Sequence, residues 1–148
     1  MSKFSIVVSD FNSAITNELL NGAVSEAKLH NCSKDLKIYR VPGVVELPYV
    51  ASKLAATKAY DAIVLLGCVI RGETDHYDYV CTQVAYGTQE VMLRYGTPIV
   101  FGILTTHNKE QAMQRCGGSK GHKGRYAMQA ALRMSELGKS ITEEHSCC

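Results

Sequence analysis

The nine residues Ala62–Ile70, AIVLLGCVI, carry no charge and almost no polarity. A strand with one wet face alternates apolar with polar residues, so an unbroken run reads as a central parallel strand covered on both faces. Parallel neighbours need long crossovers, usually helical, and the chain supplies them. Phe4 to Ser9 is a β-branched apolar run. Leu36 to Val41 is a second strand, stopped by Pro42-Gly43, and Pro98 to Leu104 is a fourth. Between them run helical patterns. Ile15, Leu19, Ala23 and Ala27 share one face of a helix from about Ser13 to His30. A helix follows Pro42-Gly43 to about Lys58. Val80, Val84, Val91 and Tyr95 mark one from about Asp75 to Tyr95. Asn108 and Gln111 form a capping box for a short helix ending near Cys116. The last helix spans about Arg125 to Leu137, is ended by Gly138, and leaves a polar tail over 139–148. The order predicts one α/β domain over 1–148: three layers, α/β/α, around a four-stranded, flavodoxin-like parallel sheet.

Charge narrows the function. Sixteen Lys and Arg against 14 Asp and Glu leave a net charge of only +2. Nucleic-acid and membrane-surface proteins usually show a basic block, so neither class is expected. No apolar run approaches the roughly 20 residues of a membrane span. The amino end has no signal-peptide layout, and a cytoplasmic protein is expected. The six cysteines include no CxxC pair, which disfavours a zinc ribbon or a thioredoxin-type motif. Cys68 and Cys81 read as core residues. His145, Cys147 and Cys148 read as a frayed terminus rather than metal ligands.

In parallel α/β sheets, ligands bind beyond the carboxyl ends of the strands. That rule selects Asp10-Phe11-Asn12, Pro42-Gly43-Val44, Cys68 to His76, and Thr105-Thr106-His107. Phe11 either stacks on a ligand ring or staples onto the first helix. His76, in the first turn of the third helix, is either structural or a proton carrier. Glu46 either serves the helix dipole or accepts hydrogen bonds from substrate hydroxyls. Gly72-Glu73-Thr74 opens a helix amino end, which attracts anions. Arg115 to Arg125 holds four Gly and four Lys or Arg. It is either a solvated helix–helix loop or an anion site. Together the last two features suggest a phosphorylated substrate.

The stretch Gly67-Cys68-Val69-Ile70-Arg71-Gly72-Glu73-Thr74-Asp75-His76-Tyr77-Asp78-Tyr79-Val80 resembles the signature of the lumazine synthase family. Phe11-Asn12, Pro42-Gly43-Val44-Val45-Glu46-Leu47-Pro48, Phe101 to Thr106, Arg115 and Lys123-Gly124 match further blocks in order, over roughly residues 4–138. The resemblance implies condensation of a ribitylaminouracil with a dihydroxybutanone phosphate, with no metal or organic cofactor. It implies that Phe11 stacks on the pyrimidine, and that Val44, Val45 and Glu46 meet the ribityl chain. Cys68, Val69 and Ile70 would line the ring pocket. Glu73 and Thr74 would hold the phosphate through backbone, Arg115 would grip it by charge, and His76 would move protons. Phe101 and Lys123 would come from a neighbouring subunit.

Three departures from the family pattern stand out. Val44-Val45 replaces the usual small-plus-aromatic pair. His107 and Gln114 stand where acids are common, and Tyr126 where an acid often follows Lys-Gly. The Val44-Val45 and Tyr126 departures motivate an alternative, a weakly active flavin- or lumazine-binding or shell-forming relative. The resemblance implies a homo-oligomer. The short amino end favours a pentamer, with a decamer or a 60-mer shell as the other forms the family takes.

Overall fold

A computed structural model of the chain describes residues 1–146. Four parallel strands form the main sheet: β1 (Phe4–Ser9), β2 (Lys37–Val41), β3 (Ala62–Ile70) and β4 (Ile99–Thr106), in the order β2-β1-β3-β4. Helix α1 (Ser13–Leu29) packs on one face. Helices α2 (Leu47–Ala56) and α3 (His76–Tyr95) pack on the other. The three-layer parallel architecture is the one the strand and helix patterns predict.

The apolar run behaves as its composition requires. Ala62 through Leu66 are fully buried, with Val64 and Leu66 in the core under α1 and Ile63 and Leu65 in the core under α2 and α3. Burying both faces at about 25 cal/mol per Å² of apolar surface makes this strand the main source of cohesion between the layers. Strand β2 is one edge of the sheet, and four of its five residues are exposed.

The structure moves several boundaries. Strand β4 continues past Leu104 because Val69 pairs with Thr105 and Ile70 with Thr106. A tight helical turn, Val44–Glu46, precedes α2. Helix α4 (Lys109–Gln114) is capped as its spacing predicts, the Gln111 N–H donating to Asn108 Oδ1 at 2.8 Å. The Gly-rich segment is not a bare loop. Two short strands, β5 (Cys116–Gly118) and β6 (Gly121–His122), form an antiparallel hairpin in it.

Helix α5 (Lys123–Glu144) lies beside α1 and does not stop at Gly138. A glycine inside a helix costs only about 1 kcal/mol, and Lys139 anchors the extension. Its Nζ lies 2.7 Å from Ser2 Oγ and 3.5 Å from Asp61 Oδ2. Cys147 and Cys148 lie outside the described residues.

Candidate active site

The chain order reverses direction beside β1, whose two neighbours are β2 and β3. Ligands in open α/β sheets bind at such switch points. A cavity of about 430 Å³ opens here, at the carboxyl ends of β1 and β3 and under the first turn of α3. That is the size of an ordinary small-molecule site.

Three loops make its walls, and specific bonds hold each in place. After β1, the Asp10 N–H donates to Val41 O at 2.8 Å and the Phe11 N–H to Pro42 O at 3.1 Å, joining the first two loops. Arg40 then grips Asp10 Oδ1 at 2.8 Å and Asn17 Oδ1 at 2.9 Å. Asn12 sits at the amino end of α1 with φ +62°, in the left-handed region that Asn tolerates. An Asn at this position would ordinarily cap the helix. Here its amide donates instead to Cys68 O at 2.9 Å, tying the first loop to β3.

The third wall is the β3–α3 loop. The Arg71 N–H donates to Thr106 O at 2.9 Å. The Arg71 guanidinium pairs with Asp78 at 2.7 Å and stacks 4.4 Å from the centre of the Tyr77 ring. This clamp fastens the first turn of α3 to the end of β3. His76 is the first residue of that helix, and its N–H donates to Thr74 Oγ1 at 3.3 Å.

Phe11, Val44, Val45, Glu46, Cys68, Val69, Ile70, Thr74 and His76 all line this one cavity. Phe11 is 73% exposed, so its ring is not stapled into the core and offers a face to a ligand. One carboxylate oxygen of Glu46, Oε2, is buried with no hydrogen-bond partner among the described residues. A buried acceptor left unmatched is costly, and a bound hydroxyl or amide would satisfy it. Burial pushes the Cys68 thiol up to about 12, reinforced by nearby Cys116. Cys68 is therefore a neutral wall residue and no nucleophile at neutral pH.

Other expected residues stand elsewhere. Glu73 is exposed beside the cavity and does not line it. Arg115 and Lys123 line a second hollow of about 340 Å³ together with Thr105, Thr106, Lys120 and Tyr126. The two hollows share no residue. Phe101 lies half-buried on β4, packed against the core under α2 and α3, and lines neither.

The sequence reading passed over Tyr77 and Val80, which do line the cavity. In the sequence Val80 stands out only as one of the residues at helical spacing. Tyr77 carries a local signal, an aromatic next to His76 with Arg71 upstream, but the stack between them is a three-dimensional fact.

Comparison with known proteins gives the family. The family model for 6,7-dimethyl-8-ribityllumazine synthase matches residues 1–139. A protein of that name from Coxiella burnetii strain Dugway is 52% identical over 140 residues, covering 94% of this chain and 93% of the relative. Its counterpart from the Nine Mile strain is 51% identical over the same shares. A match over nearly the whole of both chains at this identity leaves one conclusion: the chain belongs to the 6,7-dimethyl-8-ribityllumazine synthase family.

Proposed function

We propose that the protein condenses 5-amino-6-(D-ribitylamino)uracil with 3,4-dihydroxy-2-butanone 4-phosphate to give 6,7-dimethyl-8-ribityllumazine, the precursor of riboflavin. The observation that carries the reading is the single cavity in which Phe11, Glu46, Thr74 and His76 meet. Phe11 stacks on the pyrimidine. Glu46, Val44 and Val45 receive the ribityl chain, and Cys68, Val69 and Ile70 flank the ring. The backbone at Glu73 and Thr74, at the open amino end of α3, takes the phosphate.

The chemistry needs proton movement and charge relief more than a strong nucleophile. The substrate amine adds to the ketone and water leaves, forming an imine. A proton then leaves the adjacent carbon and phosphate departs. The enol left behind tautomerises to a new ketone, and the ribityl-bearing amine closes on that carbonyl with loss of a second water. His76 carries protons between these steps. Arg115 and Lys123 stabilise the departing phosphate.

The separation of the two hollows supports a site completed by a neighbour. In a ring, Phe101, Arg115 and Lys123 of one subunit would serve the His76 cavity of the next. The outer face of α3 supports association. Tyr79, Tyr86 and Leu93 stand at seven-residue spacing on one side of the helix and are 75%, 71% and 71% exposed. Such a stripe is the signature of a covered surface. A homopentamer, alone or built into a decamer or a 60-mer shell, accommodates this head-to-tail arrangement.

The test is to mix the protein with both substrates and follow the fluorescent lumazine. Formation well above the uncatalysed background is expected. Tight riboflavin binding without turnover would favour the alternative, a flavin-binding or shell-forming relative, for which the Val44-Val45 pair is the motive.

A further inference from the structure

His122 has no part in the chemistry above, yet it stands on the hairpin that joins the two cations proposed to hold phosphate. It lies on β6 opposite Cys116 of β5, directly before α5. Its Nδ1 accepts the N–H of Arg125 at 3.3 Å, capping α5. Its ring is wedged over α1: any side chain at Gly22 would collide with it, and a Cβ at Gly117 would lie 3.5 Å from its Cδ2. The hairpin carries both cations. The Lys123 N–H donates to Arg115 O at 2.8 Å, and the Lys120 N–H to Gln114 O at 2.9 Å. Arg125, whose N–H the ring caps, reaches back to the buried carboxylate of Glu26 at 3.4 Å.

We propose that His122 is a positioning residue for the phosphate-binding cations: its neutral ring, capping α5 and wedged on α1, holds the hairpin so that Arg115 and Lys123 stand together, and protonation of the ring releases them. The inference rests on the phosphate role proposed above for those two residues.

The cap needs a lone pair on Nδ1, which a protonated imidazole lacks. The surroundings favour the neutral ring. Burial is the largest influence, and Arg125 on α5 acts with it. Glu18 on α1 acts in the opposite direction and does not prevail, so His122 titrates below its ordinary 6.5. From β5 the ring faces the backbone of Gly117 and its pairing partner Cys116, whose thiol is held neutral by burial. For a base whose pKa falls on folding, the stabilisation is complete above the unfolded value. It is lost as pH drops below that value and through the folded one. The hairpin therefore loosens on the acid side of 6.5, not the alkaline side.

The experiment compares wild type, His122→Asn, His122→Ala and Arg115→Ala between pH 5.5 and 8, with kcat and the KM of each substrate measured separately. Asn can cap a helix and does not titrate. His122→Ala should raise the KM of the phosphorylated substrate about 5- to 30-fold, the worth of a helix cap. Its kcat should also fall, because the same cations stabilise the departing phosphate, while the KM of the amine substrate should move little. His122→Asn should match wild type near pH 7.5. Wild-type KM for the phosphorylated substrate should climb more steeply in acid than that of His122→Asn, because the substrate's own phosphate titration is common to both. Equal acid limbs, or a His122→Ala effect spread evenly over both substrates, would overturn the proposal. If His122→Ala does not fold, the comparison of wild type with His122→Asn decides. If Arg115→Ala leaves the phosphorylated substrate's KM unchanged, the phosphate role falls and this inference with it. If Arg115→Ala raises it and His122→Ala does not, the positioning role alone is wrong.

Discussion

Glu46 and His76 share a cavity and should fail differently when altered. Glu46 Oε2 is buried with no hydrogen-bond partner among the described residues, so its energy is realised on substrate binding. A hydrogen bond to a charged acceptor contributes about 1.5–3 kcal/mol. Glu46→Gln should therefore raise the KM of the amine substrate about 10- to 100-fold and leave kcat nearly unchanged. His76 is exposed in the isolated subunit, where water can partly replace it. His76→Ala should lower kcat by about 10²-fold, the low end for a proton carrier, with both KM values little changed. Steady-state kinetics by lumazine fluorescence separates the two. The placement of both residues was legible in the sequence, because the strand-end rule selects loops without needing their exact shape. Tyr77 was not, because its contribution comes from stacking under Arg71 across a turn, which no periodicity encodes.

At the level of elements, β3 is fitted closely to the turn beneath the site. A Cβ at Gly67 would lie 2.6 Å from Val44 Cγ1 and 2.9 Å from Ser9 Oγ. Gly67→Ala should cost about 1–3 kcal/mol by overpacking, lowering Tm by about 2–10 °C. Val44→Ala in the same chain should recover part of that loss, since it clears the nearer contact. Thermal unfolding of the single and double variants checks both statements, and strict additivity would contradict the contact. Strands β1 and β3 were readable because burial on two faces forces an apolar run, and helix α1 because its buried residues recur at helical spacing. The β5–β6 hairpin was not. Its residues, Cys-Gly-Gly and Gly-His, are too few and too poor in side chains to show alternation, and the pairing is held by backbone. The end of α5 was missed for a related reason. Gly138 looks like a stop, but Lys139, Ser2 and Asp61 hold the helix beyond it, and those contacts span most of the chain.

For the whole molecule, the largest consequence is that one subunit holds the residues proposed for one reaction in two separate hollows. His76 and Glu46 face one hollow, while Arg115 and Lys123 face another. The sequence marked all four but could not assign them to one site or two, because that depends on how loops far apart in the chain are brought together by the fold. The exposed Tyr79–Tyr86–Leu93 face is where a neighbour would close the gap. Complementation measures this directly. His76→Ala and Arg115→Ala chains, each weakly active alone, are unfolded together, reassembled as a random mixture and assayed for lumazine formation. If His76 and Arg115 meet across a subunit boundary, each sound site needs one chain of each kind in the correct order. About a quarter of sites in an equal mixture then regain both groups, and activity should rise to about a quarter of wild type. Activity of the mixture no higher than the mean of the two variants would contradict the account.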